Sequence, residues 1–174
     1  MSLVLLVAIA ATAFVVVTVY FVFASFVFGA GYQPTPRRVV AAMLDRAEVG
    51  PDDVVYDLGA GTGAIVFRAA RERRSRVVGV EVEPVRIAIL HLRRRLGGPR
   101  DRVTIRWGNL FDLDFRPATV VAVFLWPAAM ARLRPILEAQ LRAGSRVVSH
   151  WHPVPGWTEV SYDAATRVYL YRRG

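Results

Sequence analysis

Two residue types are missing from the 174-residue chain: it has no cysteine, and its 23 basic residues are all arginine. Without cysteine there is no disulfide framework, no thiolate-bound zinc and no thiol nucleophile. Against 14 acidic residues the arginines leave a net charge of +9. So basic a chain seeks anions, either nucleic acid or lipid headgroups. Charge is absent from the first 36 residues, the first charged side chain being Arg37. The chain is too short for two ordinary domains and, at 54% hydrophobic residues, too apolar to be disordered. One compact domain with a small addition is the bound.

The addition is the uncharged run of 26 residues from Leu3 to Phe28. As a helix it measures about 39 Å, against about 30 Å of bilayer hydrocarbon. A cleaved signal peptide would open on positive charge and carry a shorter apolar stretch, and MSLVLL has neither feature. A buried core helix of this length would need more partner surface than the rest of the chain can supply. The run therefore predicts a retained transmembrane anchor over residues 1–30, followed by one domain over 31–174. Tyr20 and Tyr32 are the expected interfacial anchors. Every arginine lies C-terminal to the span, which places the domain on the cytoplasmic side of a single-pass protein. Beside anionic headgroups each juxtamembrane arginine contributes about 1 kcal/mol, a use for the charge that needs no nucleic acid.

Beyond residue 50, β-branched runs alternate with helical segments. Strands are expected at 53–58, 76–82, 102–107, 119–126, 145–151, 158–162 and 167–172, and helices at 36–48, 64–74, 84–96 and 127–142. This alternation predicts an α/β fold, a mostly parallel seven-stranded sheet closed by a C-terminal antiparallel hairpin. In such a sheet the ligand lies beyond the carboxyl ends of the strands, beside the first strand-to-helix turn.

That turn reads Asp57-Leu58-Gly59-Ala60-Gly61-Thr62-Gly63-Ala64, with Glu81 ending the second strand. Gly59, Gly61 and Ala64 satisfy the dinucleotide pattern. Asp57 discriminates against it, because a pyrophosphate docked here would meet a carboxylate at a cost of about 3 kcal/mol. A cationic ligand is attracted instead. S-adenosylmethionine meets both demands: its ammonium suits Asp57 and its ribose diol suits Glu81, while Gly59, Gly61 and Gly63 let backbone approach closely. Asn109 and Leu110, after the third strand, are placed to read the adenine edge and cover its face.

The DLGAGTG turn followed by an acid-tipped second strand resembles the class I S-adenosylmethionine-dependent methyltransferases, with their Rossmann-like sheet. Four further blocks, YQPTPRRVVAAML, GNLFDLD, VAVFLWP and RVVSHWHPVPGW, resemble a narrower group. These are small membrane-anchored protein-lysine methyltransferases, including archaeal enzymes and the mitochondrial enzymes acting on the ATP synthase c subunit and the adenine nucleotide translocase. The resemblance implies that Tyr32 and Thr35 close over the methionine end of the cofactor, and that Tyr32, Trp126 and Pro127 border the reacting groups. Thr62 departs from the group, whose members often carry an acid there.

Methyl transfer from a sulfonium requires a lone pair held about 3 Å from the methyl carbon, so positioning supplies most of the acceleration. Deprotonating a lysine at pH 7 costs about 4.6 kcal/mol, which a dry pocket reduces. The fourth strand runs into Phe124-Leu125-Trp126-Pro127, lacking the Asn/Asp-Pro-Pro-aromatic sequence of nucleobase amino-methyltransferases. Backbone carbonyls near Phe124 and Leu125 are then the acceptors for an amine, and Trp126 offers a cation–π face. His150-Trp151-His152 reads as two histidines on one strand face without a third metal ligand, and His91 as an ordinary helical residue. No metal site is expected. The arginines at 71, 73, 74 and 93–95 lack interleaved aromatics, so nucleic acid is not the expected partner.

The expected partners are the bilayer and a membrane protein presenting a lysine. A lipid headgroup or amphiphilic small molecule is the alternative acceptor, and a non-catalytic cofactor-binding adaptor is the alternative outside enzymes. The four residue steps from Phe28 to Tyr32 span at most about 14 Å, which keeps the site near the headgroups. A chain without lysine cannot methylate its own lysines.

Overall fold

The computed structural model describes residues 2–27 and 33–174. They fall into two compact units, Met1–Gln33 and Pro34–Gly174.

The first unit is helix α1 (Leu3–Val27). β-Branched residues disfavour a helix in water, but here the helix hydrogen-bonds every interior backbone group within itself. Its two threonines hide their hydroxyls the same way: Thr12 Oγ1 donates to the Ala8 carbonyl at 2.9 Å and Thr18 Oγ1 to that of Phe14 at 2.8 Å. By length and composition the helix suffices to cross a membrane, and none of the segment Leu3–Tyr20 is buried.

The second unit is a seven-stranded sheet: β1 (Val54–Leu58), β2 (Arg76–Glu81), β3 (Val103–Trp107), β4 (Val120–Val123), β5 (Arg146–His150), β6 (Ser161–Asp163) and β7 (Val168–Arg172), in the order β3-β2-β1-β4-β5-β7-β6. The first five strands are parallel. The C-terminal hairpin forms as expected, but β7 inserts antiparallel between β5 and β6 and leaves β6 at the edge.

Strand alternation divides the core in two. On one face Val55, Val77, Val103, Ala122 and Val148 pack under α2 (Arg37–Arg46), α3 (Ala64–Glu72) and α4 (Pro84–Gly97). On the other, Leu58, Val80, Val121, Val123 and Val147 meet Met130, Leu133 and Leu137 of α5 (Pro127–Gln140), together with Phe115. Helix α4 starts at Glu83, whose carboxylate accepts the Val85 and Arg86 amides at 2.9 Å, with Pro84 in the first turn where a missing N–H costs nothing.

Arginines fasten helix ends and loops by donating to carbonyls. Arg68 reaches that of Arg37 at 2.6 Å, Arg71 that of Gly97 at 2.7 Å, and Arg173 that of Glu138 at 3.0 Å. At the amino edge of the sheet Arg146 pairs with Asp53, and Asp53 also accepts the Thr119 hydroxyl at 2.6 Å and the Gly50 amide at 2.9 Å.

Two expectations are corrected. The fourth strand stops at Val123 rather than at 126. Its apolar run continues as a loop because Pro127 lacks an amide for the ladder and opens α5. The fifth stops at His150, because Trp151 adopts φ +69°. That breaks the alternation, so His150 and His152 are not side by side on one strand face.

Candidate active site

The turn after β1 is a hook hung on β2. The Gly59 and Ala60 amides donate to the Val80 carbonyl at 3.0 and 2.8 Å, and the Gly63 amide donates to that of Ala60 at 2.7 Å. Gly59, Gly61 and Gly63 all have positive φ, +79°, +55° and +87°. At Gly63 a β-carbon would also come within 2.5 Å of the Phe67 ring and 2.7 Å of Leu90. Gly79 was not singled out from the sequence, yet it matters: a β-carbon there would meet Val66 at 2.7 Å and Ala60 at 3.3 Å, so the turn can sit down on β2 only over a glycine. The available signal was a lone glycine inside a strand.

Two buried carboxyls flank this hook. Glu81 accepts the Gly61 amide on Oε2 at 2.8 Å and the Val82 and Glu83 amides on Oε1 at 2.9 and 3.0 Å, with Arg86 Nη1 at 3.8 Å. It therefore ties the turn to the second strand, a duty the ribose assignment did not foresee. Part of its acceptor capacity is still available to a diol. Asp57 has no ion pair among the described residues. Burial, reinforced by the Glu81 charge, pushes its carboxyl up to about 7.

The third strand's end completes this side. Asn109 is exposed and spends its Oδ1 on the Phe111 amide at 3.2 Å, starting a single 3₁₀ turn over Leu110–Asp112 and leaving its NH₂ free to donate. Leu110 is half-buried against the α5-side core. Trp107 lies open to solvent with its indole N–H on the Val82 carbonyl at 2.9 Å.

Across β4 the surroundings turn aromatic. Trp126 is 49% exposed where α5 begins, its ring 5.6 Å from that of His152, and Pro127 is the first residue of the helix. Phe124 meets the buried His150 edge-on at 4.5 Å, and the Arg167 guanidinium covers Trp151 at 4.1 Å. Leu125 points back to the hook, 3.7 Å from where a Gly59 β-carbon would be. Thr35 lies in the extended segment before α2, half-buried, and Tyr32 lies outside the described residues.

The structure thus brings Asp57, Glu81 and the three turn glycines together at the carboxyl ends of β1 and β2. The fit to S-adenosylmethionine rests on the pairing of a buried carboxyl without a cation with a cradle that side chains would fill. A cationic ammonium supplies what Asp57 lacks, while an anionic pyrophosphate would add to the repulsion.

Comparison with known proteins agrees. Residues 57–161 match the family model described as ANTKMT methyltransferase domain, and residues 8–94 match that of histone methylation protein DOT1. A protein-lysine N-methyltransferase of Saccharolobus islandicus (strain REY15A) is 43% identical over 72% of this chain and 79% of its own. The adenine nucleotide translocase lysine N-methyltransferase of Mus musculus is 30% identical over 80% of this chain, which spans 62% of that protein's length. The crystal structure of an RNA methyltransferase from Salinibacter ruber, in complex with S-adenosyl-L-homocysteine, superposes with a TM-score of 0.78 at 41% identity, covering 80% of this chain and 93% of that one.

Proposed function

We infer the function from one premise: the chain belongs to the ANTKMT methyltransferase domain family, and its cofactor is S-adenosylmethionine. The bound cofactor supplies an electrophilic methyl group on a sulfonium. We propose that residues 1–30 anchor the enzyme in a membrane with residues 31–174 as its cytoplasmic methyltransferase domain, and that it N-methylates lysine side chains of a membrane or membrane-associated protein.

The observation that carries this reading is the apolar segment Leu3–Tyr20 of α1, none of which is buried. Leaving so much apolar surface in water is unfavourable, and a bilayer removes the cost. The short linker read from the sequence then favours acceptors at the membrane surface. Two relatives are protein-lysine methyltransferases by name, one of them acting on the adenine nucleotide translocase.

The proposed roles are as follows. Asp57 takes the ammonium, Glu81 the ribose diol, and the amides of the Gly59–Gly63 turn lie along the ligand. Asn109 reads the adenine edge and Leu110 covers its face. Tyr32 and Thr35 close over the methionine end. Trp126 and Pro127 wall the acceptor channel, where the indole face suits an ammonium.

A second reading, an RNA acceptor, is favoured by the Salinibacter ruber relative, described as an RNA methyltransferase, and by the +9 charge. One experiment separates them. Membranes and cytosol are incubated separately with methyl-labelled cofactor and purified enzyme, then split into protein, RNA and lipid fractions. Label on lysines of membrane proteins, located by mass spectrometry, is the expected result. Label confined to RNA, to lipid or to soluble proteins overturns it. Alkaline carbonate should leave the full chain in membranes, and mature protein beginning after residue 28 would refute the anchor.

A further inference from the structure

His150 is a buried polar side chain to which neither the fold nor the roles above give a task. It ends β5 at 6% exposure, and its Nδ1, shielded from solvent, has no hydrogen-bond partner among the described residues. Buried polar atoms almost always find partners, so an orphan calls for a reason. Its position supplies one. The register pairs Leu58 with Val123 and Val123 with Ser149, so the residues that follow them, Gly59, Phe124 and His150, lie together at the carboxyl ends of β1, β4 and β5. His150 therefore lies at the same edge of the sheet as the cofactor hook, two strands from it, and Phe124, whose ring it meets, follows the strand between.

In the neutral tautomer that carries its ring hydrogen on Nε2, the unpartnered Nδ1 is a hydrogen-bond acceptor. Burial drives the imidazole below its ordinary range, and the facing Arg167 and His152 push in the same direction. The neutral ring in that tautomer therefore presents a dry lone pair at Nδ1.

Resting on the amine-acceptor reading, we propose that His150 Nδ1 accepts a hydrogen bond from the N–H of the incoming amine and so aims the amine lone pair at the methyl group. His150 is on this view an acceptor-binding residue. Half-buried Phe124 is the ring that gives way on entry. The neutral amine needs homes for its N–H groups, and the β4 loop carries no side-chain acceptor between Phe124 and Pro127. One home is a backbone carbonyl near Phe124 or Leu125, and the other is Nδ1.

The consequence is a dependence on methylation state. An amine offers two N–H groups before the first transfer, one before the second and none before the third. Each transfer forms one N–C bond and breaks one S–C bond, turning the sulfonium into a thioether, and each of the first two is followed by loss of one proton to solvent. A residue that receives an N–H should matter for the first two transfers and be idle in the third.

The test uses the full chain in detergent, with polylysine and fully N-dimethylated polylysine as probes. For His150→Phe, the rate on polylysine should fall about 2- to 12-fold, the worth of one neutral hydrogen bond, with the rate on the dimethylated probe unchanged from wild type. His150→Asn, which returns an acceptor oxygen near Nδ1, should restore part of the first rate. Equal losses on both probes mean a packing role and overturn the proposal, as does no loss on either. If the wild type labels neither probe, the lysine reading is in trouble and butylamine decides the inference separately. A ¹⁵N resonance of His150 Nδ1 that moves upfield on titrating butylamine into the enzyme with S-adenosylhomocysteine supports it; an unmoved resonance overturns it.

Discussion

Two aspartates sit at opposite ends of one strand and are treated in opposite ways. Asp53, just before β1, is held by Arg146, the Thr119 hydroxyl and the Gly50 amide. Asp57, four residues on and no less buried, has no cation among the described residues, and its proton is held up to a pH of about 7. A carboxylate that serves the fold is neutralised by the fold. One that serves a ligand is left incomplete, and the fold bears the cost of that vacancy.

The comparison breaks most readily at the Asp53 end. Arg146→Met should cost about 3–5 kcal/mol by stranding a largely buried carboxylate, while leaving cofactor affinity within twofold. Urea denaturation and calorimetry read the two quantities, and a parallel loss of affinity would mean that the two ends are not separate.

At the other end the signs reverse. Asp57→Asn should weaken S-adenosylmethionine about 10- to 150-fold, the worth of a charged hydrogen bond of about 1.5–3 kcal/mol. Stability near pH 8 should hold or rise, because no buried charge remains. Tighter binding of NAD than of S-adenosylmethionine by the wild type would remove the assigned role altogether.

Glu81 falls between the two cases. Glu81→Gln leaves one acceptor oxygen for three backbone amides, so about 2 kcal/mol of stability should go together with affinity. A variant that melts like wild type would mean the amide ties are dispensable.

The smallest effect is a titration. The folded carboxyl of Asp57 ionises near 7 against an ordinary 3.8, so the unfolded chain holds fewer protons between those values. Its contribution to stability is therefore present below about pH 4 and is lost as pH rises towards 7. Affinity runs the other way, rising about 16-fold from pH 5.5 to 7 as the carboxylate becomes available to the ammonium. Calorimetry in buffers of different ionisation enthalpy should register proton release on binding at pH 6, and none if Asp57 is already charged.

The cofactor side of the molecule was legible because its signals are local. Asp57, three glycines and an acid at the end of the next strand fall within 25 residues, and propensity and turn chemistry act over that range. The Asp53–Arg146 pair was not legible, since 93 residues separate the partners and only the sheet brings them together. Apolar run length overstated β4, because the residues that wall a site are as apolar as those that fill a core. The histidine pair was misjudged for another reason. Nothing in the sequence marks Trp151 for a left-handed backbone, which here follows from its amide bonding to the Arg167 carbonyl at 2.8 Å across the incoming β7.

The arginine fastenings have a long-range consequence. An ion pair cancels the field of its cation, whereas a guanidinium bonded to a neutral carbonyl keeps its whole charge. Arg71 thus acts inward as a staple and outward as a source of potential. Added salt should leave the staple nearly untouched while shrinking the reach of its field to about 8 Å at physiological strength. Such a surface can attract an anionic neighbour without loosening the body that carries it.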